Sequence, residues 1–384
     1  MRLLEKLVGG CTVGSIGSQR CTTIVSQWRV NIAGTNDDPH NNRPMTTQAR
    51  LTDPWQLGPL RVPNRVMLAP LAGIGNWFVR LQAKRHGAGM AVSEMLSSHA
   101  IFHGNERTCV EMLRIDPRER AYEGPISIQL FGQDPAVMRV AAREVARAGA
   151  DAIDLNMGCP VPKVCKTGAG AALLDDPDVA VAVARAAREG SGLPVTVKLR
   201  SGRRPGDTSG FELAHRLVRE AGVAAIAFHP RSAAVHHKGV PDYALAARLV
   251  EELDAPVILS GGLHGSQSTL GAFRQTGASA VMLARGSLGN PWLFEQLLGV
   301  REDAPTRAEV LAELDWTIDR AVEHLGPPRA TRYLRKFYPW YVARLGLEKP
   351  QAKALGESLQ RAATLDDARY TAALAAHPTV AVPA

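Results

Sequence analysis

Aromatic side chains are scarce in this chain, at 5% of 384 residues, and so are cysteines, at five. No apolar run approaches the ~18 residues that a membrane-spanning helix needs, so none is expected. The cysteines (Cys11, Cys21, Cys109, Cys159 and Cys165) are odd in number, scattered and without CxxC spacing. Neither a disulfide framework nor a zinc or iron–sulfur site is indicated, and a reducing cytoplasm is the expected setting. Glu5 and Lys6 interrupt the one apolar patch near the start, which argues against a secretory signal. Residues 1–48 lack a sustained hydrophobic period and contain Asn36-Asp37-Asp38-Pro39-His40-Asn41-Asn42. They read as a disordered extension without a functional role, with Met45 an alternative start of the folded protein. Acidic residues are outnumbered by basic ones, 37 to 45, for a formal charge of +8. That balance fits a polyanionic partner such as nucleic acid.

From Arg65 onward, strand-length apolar runs alternate with helical stretches. The runs are Val66–Leu71, Met90–Met95, Pro125–Leu130, Ala152–Asn156, Pro194–Leu199, Ala224–His229, Pro256–Ser260 and Ser279–Ala284. They are continuously apolar rather than alternating, as strands buried on both faces are. Asp134-Pro135 and Asp176-Pro177 mark helix starts, with Gly149 and Gly190 just past the expected ends. Gly222 and Gly277 precede strands in the same way. Eight β/α units point to an α/β fold of the (β/α)8 barrel type over residues 49–299, typically ~250 residues. A doubly wound open sheet is the structural alternative, but no GxGxxG follows the first strand. After Leu298, Leu311, Leu314, Ile318, Ala321, Val322 and Leu325 keep three-and-four spacing, and further helices are expected near 328–345, 350–362 and 365–376. Residues 300–384 therefore read as an appended helical domain, frayed at its last few residues.

The candidate chemistry gathers at strand ends. Asp154-Leu155-Asn156-Met157-Gly158-Cys159-Pro160 ends a strand in a glycine-containing turn that presents a thiol. A free cysteine is often a buried, inert side chain, but Gly158, Pro160, Asn156 and Lys163 make this turn exposed and polar. Cys165 lacks that setting and reads as structural. Lys198 closes its run, either snorkelling from the rim or facing an anionic cofactor. His229 is either a satisfied core histidine or a neighbour of a phosphate or flavin, and the Gln129 amide could read the edge of a heteroaromatic ring. Ser260-Gly261-Gly262 and Ala284-Arg285 follow adjacent strands late in the chain. They are either two tight turns or the two halves of a phosphate site. In the tail, residues 326–361 hold eight basic residues against two acidic ones. Arg329, Arg332 and Lys336 share a helical face. Tyr333, Phe337, Tyr338, Trp340 and Tyr341 lie among them, either as a small core or as platforms for bases.

Taken together, Ala69-Pro70-Leu71-Ala72-Gly73, Gln129-Leu130-Phe131-Gly132, Asp154-x-Asn156-Met157-Gly158-Cys159-Pro160, Gly168-x-Gly170-x-x-Leu173-Leu174, Val197-Lys198-x-Arg200, His229-x-Arg231 and Arg285-Gly286-x-x-Gly289-Asn290-Pro291-Trp292 resemble the tRNA-dihydrouridine synthase family over about residues 58–345. The resemblance implies an FMN-dependent barrel that reduces uridine in tRNA to 5,6-dihydrouridine, with NADPH as electron source. It implies Pro70, Leu71 and Ala72 along the flavin ring, and Gln129, Lys198 and His229 at the ring and ribityl chain. Ser260, Gly261, Gly262, Ala284 and Arg285 would hold the phosphate, and Cys159 would be the catalytic acid. Asn156, Lys163, Arg200 and Arg231 are the candidates for substrate contact, and no metal is implied. The family often has Pro-Met-Ala where Pro70-Leu71-Ala72 stands, a volume-conserving change. It usually has Asn-Gly-Asp where Ser260-Gly261-Gly262 stands, which leaves only backbone N–H groups for that contact. Two other readings remain open from the sequence: an FMN barrel acting on a free pyrimidine, and a non-enzymatic RNA-binding barrel.

Overall fold

The computed structural model describes residues 49–375. The expectations for residues 1–48, Met45 included, and for the last few residues of the chain lie outside the described residues. A short antiparallel hairpin, β1 (Trp55–Leu57) and β2 (Leu60–Val62), comes first. Eight parallel strands follow: β3 (Val66–Leu68), β4 (Met90–Ser97), β5 (Ile126–Phe131), β6 (Ala152–Met157), β7 (Val195–Arg200), β8 (Ala225–His229), β9 (Val257–Ser260) and β10 (Ala280–Leu283). They close a barrel in chain order, with β10 pairing β3. The expected (β/α)8 architecture is therefore present, and the open-sheet alternative is not.

Two apolar cores flank the barrel wall. Outward side chains such as Ile128, Leu130, Val197 and Leu259 pack under the surrounding helices. Inward ones (Met67, Met90, Ala152, Ala225, Ala227, Ile258, Met282) form a separate interior cluster together with Trp55, Leu57 and Val62 of the hairpin. The hairpin thus contributes apolar side chains to the barrel interior. Its strands are three residues each, too short to show a period in the sequence.

Helix ends follow the glycines with one correction. Gly222 and Gly277 sit at C-caps with left-handed φ values of 65°, as expected. The helix expected to stop before Gly190 instead runs Pro177–Ser191 and is capped by Gly192 at φ 68°. Gly190 serves a different need: a Cβ there would lie 2.2 Å from the Arg139 carbonyl oxygen of the neighbouring helix Pro135–Arg147. Two helices approach too closely for any side chain.

The helical segment begins with Arg307–Leu325, started by a capping box between Thr306 and Glu309. Shorter helices Pro327–Leu334, Tyr338–Val342, Lys349–Arg361 and Leu365–Leu374 follow. Barrel and helical segment belong to one compact unit. Gln82, on the helix Trp77–Arg85, ties them by donating to Glu313 at 2.9 Å and to the Tyr341 hydroxyl at 2.9 Å. Among the described residues no helix is long and apolar enough to cross a membrane.

Replacing Gly190 by Ala tests the close approach. Intrinsic helix propensity alone would stabilise the variant by about 1 kcal/mol. The contact with Arg139 reverses the sign, and we expect a net loss of about 1–3 kcal/mol in urea unfolding. A variant more stable than the parent would contradict this reading.

Candidate functional site: a cationic cavity at the barrel mouth

Parallel pairing decides which side chains meet. In the ladder Gln129 of β5 stands beside Asp154 of β6, Asp154 beside Thr196 of β7, Asn156 beside Lys198, and Arg200 beside His229 of β8. Residues two apart on a strand share a face, so Asp154 and Asn156 both look inward, as do Thr196 and Lys198. The upper interior layer is thereby polar, where the lower layer is apolar.

Above it opens a cavity of about 450 Å³. Pro70, Leu71, Ala72, Gln129, Asn156, Cys159, Lys198, Arg200, His229, Arg231, Ser260, Gly261, Gly262, Ala284 and Arg285 all line it. Of the residues assigned to catalysis, cofactor or substrate contact only Lys163 does not; it lies exposed on the turn Pro162–Cys165. The wall also holds Met95, His236, His237, His264, Met282 and Trp340. It contains Lys198, Arg200, Arg231 and Arg285 and not one carboxylate.

Those cations are not equivalent. Arg200 is buried and its guanidinium is held by backbone carbonyls: Gly158 at 2.9 Å, Ser232 at 3.0 Å and His236 at 2.7 Å. It fastens the cysteine turn to the loop after β8. Arg231 donates to the Gly239 carbonyl at 2.6 Å and meets His229 Nε2 at 3.3 Å. A guanidinium only donates, so Nε2 accepts and the ring proton sits on Nδ1. Burial, with Lys198 and Arg200 nearby, holds His229 well below the usual histidine range and therefore neutral. Lys198 is half-buried and has no hydrogen-bond acceptor among the described residues. Burial brings its ammonium down to about 8, and Arg200 adds to the fall. Arg285 is exposed at the rim, also without a partner.

The thiol is held by a chain of hydrogen bonds that starts inside the barrel. Thr196 Oγ1 and Gln129 Nε2 both donate to the buried Asp154 carboxylate, each at 2.5 Å. Asn156 Nδ2 donates to Gln129 Oε1 at 3.0 Å, and Asn156 Oδ1 accepts the N–H of Gly158 and of Cys159, the latter at 2.9 Å. Both amide groups are thus fixed in orientation. Burial raises Asp154 to about 6 against the hydrogen bonds that lower it. Burial also pushes the Cys159 thiol up, so it stays protonated at neutral pH, while Arg200 and Lys198 pull the other way. Cys165 is elsewhere, its Sγ donating to the Cys159 carbonyl at 3.3 Å.

The opposite wall is the turn after β3. Gly73 N–H donates to Glu94 Oε2 at 2.9 Å, and Lys336 Nζ donates to the Gly73 carbonyl at 3.1 Å. Tyr333 Oη donates to the Ile74 carbonyl at 3.0 Å. Lys336, on the basic helical face with Arg329 and Arg332, is exposed and engaged with the backbone of this turn, and Arg329 is paired with Glu111 at 2.6 Å. Arg332 and Arg335 remain exposed. Of the tail aromatics, Phe337, Tyr338 and Tyr341 are buried as core, and Trp340 reaches the cavity.

The backbone after β9 suits an anion. Gly261 and Gly262 adopt φ of 93° and 81°, and a Cβ at Gly261 would lie 2.2 Å from the His229 ring. Only glycine leaves this turn bare toward the cavity. Bare backbone, an ammonium without an acceptor and the missing carboxylates fit a group carrying a phosphate. Among the described residues no cluster could hold a metal ion.

A closed parallel barrel with a cationic mouth and a protonated thiol beside it is the site of a (β/α)8-barrel enzyme. The model of the dihydrouridine synthase family matches residues 67–377, so the chain belongs to that family, and it is an oxidoreductase. It is 34% identical over 317 residues to a tRNA-dihydrouridine synthase B of Xanthomonas axonopodis pv. citri, covering 81% of this chain and 92% of that one. It is 35% identical over 312 residues to a probable tRNA-dihydrouridine synthase 1 of Synechocystis, covering 80% and 84%. Among solved structures, a morphinone reductase in complex with tetrahydroNAD superposes with a TM-score of 0.52 at 17% identity, over 66% of this chain and 92% of that one. That likeness is one of fold.

Thr196→Val removes one donor from the Asp154 carboxylate while keeping the shape. At pH 8, where the carboxyl is ionised, the expected cost in urea unfolding is about 1.5–3 kcal/mol. At pH 5, below the Asp154 value of about 6, the acceptor is neutral and the cost shrinks. Equal costs at both pH values would contradict the hydrogen-bond chain as drawn.

Proposed function

We propose that this protein is an FMN-dependent tRNA-dihydrouridine synthase that reduces uridine in tRNA with NADPH as electron donor. The observation that carries the reading is the cavity wall with four cations, no carboxylate and one protonated thiol. Family membership and similarity over 81% of the chain to a named tRNA-dihydrouridine synthase support it. Such a tRNA substrate sets the reaction in the cytoplasm.

Arg285 and the N–H groups at Gly261 and Gly262 would hold the phosphate of FMN, and Lys198 would meet its ring and ribityl portion. Pro70, Leu71 and Ala72 supply an apolar wall, and Gln129 and His229 present fixed polar edges to the ring. Ser260 and Ala284 complete the turn ends. When bound, FMN supplies a hydride, taken from NADPH, to C6 of the uracil ring. Negative charge then builds at C5 and O4 of the base. Cys159 gives C5 its proton, the burial that keeps the thiol protonated being what a general acid requires. Asn156 holds the N–H of Cys159 and so sets where the thiol stands. Arg200 and Arg231, whose guanidinium groups grip loop carbonyls, shape the entrance rather than reach for the base. The base must leave its stack to enter a cavity this deep. The helical segment from residue 300, with Arg332 and Arg335 exposed, docks the folded RNA.

Two measurements test this. Cys159→Ala should lower dihydrouridine formation by ~10²–10⁴-fold while flavin reduction by NADPH continues. Activity within a few-fold of the parent would exclude the thiol as acid. FMN affinity should also depend on pH. Lys198 titrates near 8 in the free protein and an anion raises that value, so affinity is full below pH 8. Above it, affinity weakens by up to ~10-fold per pH unit. Fluorescence quenching titrations giving one affinity at pH 7 and 9.5 would remove Lys198 from the flavin site.

A further inference from the structure

Beside the cavity lies a second, larger groove of about 900 Å³, open to solvent. Pro160 and His236 face both spaces and form the ridge between them. One wall is the short turn that follows Cys159, ending in Lys166, and the other is the loop after β7. Lys166 and Arg204 are exposed and have no partner among the described residues. Arg203 Nε stands 3.6 Å from Asp175, and its buried Nη1 has no acceptor.

The groove's other carboxylate is turned to the backbone. Asp207 accepts the backbone N–H of Arg203 at 2.6 Å and of Ser209 at 2.8 Å, closing the loop, and the lining keeps three cations against two carboxylates. Gly202 lets that loop fold tightly, since a Cβ there would lie 2.3 Å from the Asp207 carbonyl oxygen. Arg203 and Arg204 thus start from a constrained base. Among the described residues no Phe, Tyr or Trp lines the groove and its one ring, His236, stands on the ridge, so recognition falls chiefly to phosphate.

We infer that this groove carries the RNA strand next to the reduced uridine, with its phosphodiester groups on Lys166, Arg203 and Arg204. The inference rests on the proposed function. An extruded base stays tethered to its neighbours, so the strand must cross the rim directly beside the cavity. On the cysteine side that rim opens into this groove. The phosphates of a dinucleotide share the same chemistry, and the experiment separates the two sources.

The test uses the full-length flavin-loaded protein, with Lys166→Glu/Arg204→Glu as the main variant because both residues are exposed. Lys166→Arg/Arg204→Lys is the charge-conserving control. With an unmodified tRNA transcript, the charge-reversed variant should bind at least ~10-fold more weakly in filter binding. Its slope of log affinity against log salt should be shallower by roughly 1.4–1.8, the loss of two phosphate contacts. The control should bind like the parent. Unchanged tRNA affinity would overturn the assignment, as would a raised KM for NADPH with tRNA affinity intact, which would make the groove a dinucleotide site. Parent protein that binds tRNA but forms no dihydrouridine would sink the proposed function, and the groove would still be judged by the affinity comparison.

Discussion

The organisation of this molecule turns on positive charge kept inside the mouth of a closed barrel without a carboxylate to meet it. Lys198 is the clearest case, since its ammonium has no hydrogen-bond acceptor among the described residues and burial brings it down to about 8. A protein interior ordinarily pairs such a group or excludes it. Here Asp154 lies on the neighbouring strand, on the same inward face, but its oxygens are taken by Thr196 and Gln129. The cation is left for something that enters the cavity. An arriving dianion would offset the repulsion among Lys198, Arg200, Arg231 and Arg285. It would also offset the pull that Arg200 and Lys198 exert on the Cys159 thiol, leaving burial to hold the proton more firmly. Under the proposed function, cofactor binding and acid catalysis would be linked through one electrostatic balance.

Rigidity of the site comes from the same ladder that closes the fold. A side chain on one barrel strand is placed against its neighbours by parallel register, and a slip of one residue would turn Gln129, Asn156 and Lys198 outward together. The hydrogen-bond chain from Thr196 to the N–H of Cys159 carries this precision from the barrel into a loop, the part of a protein that otherwise tolerates most movement. On the other side, Glu94 and Lys336 hold Gly73 between them. The helical segment therefore supplies part of the cavity wall through Trp340 and braces the turn after β3 through Lys336 and Tyr333.

Much of this was legible in the chain. Continuous apolar runs of strand length, broken by glycine turns, identify β3 to β10, because strands buried on both faces leave that signature. The motif residues at strand ends converge for the same reason: strand ends of a parallel barrel lie in one ring. What stayed hidden depends on distance in space. The hairpin Trp55–Val62 is too short for periodicity. Gly190 reads as a helix stop, because its contact with Arg139 on another helix leaves no trace in local sequence. Lys336 looks like part of a basic RNA-facing stripe until Gly73 is brought to it from over 260 positions away. His236 and His237 sit in a loop with no pattern to mark them. Asp154 belongs to a quoted motif, yet only the ladder reveals that it orients Gln129.

The most direct trial of this account is nucleoside mass spectrometry on an unmodified tRNA transcript incubated with purified protein, FMN and NADPH. The account predicts conversion of one or more uridines into a nucleoside heavier by two hydrogens, strictly dependent on FMN. A transcript that keeps every uridine although the protein has bound both flavin and tRNA would contradict it.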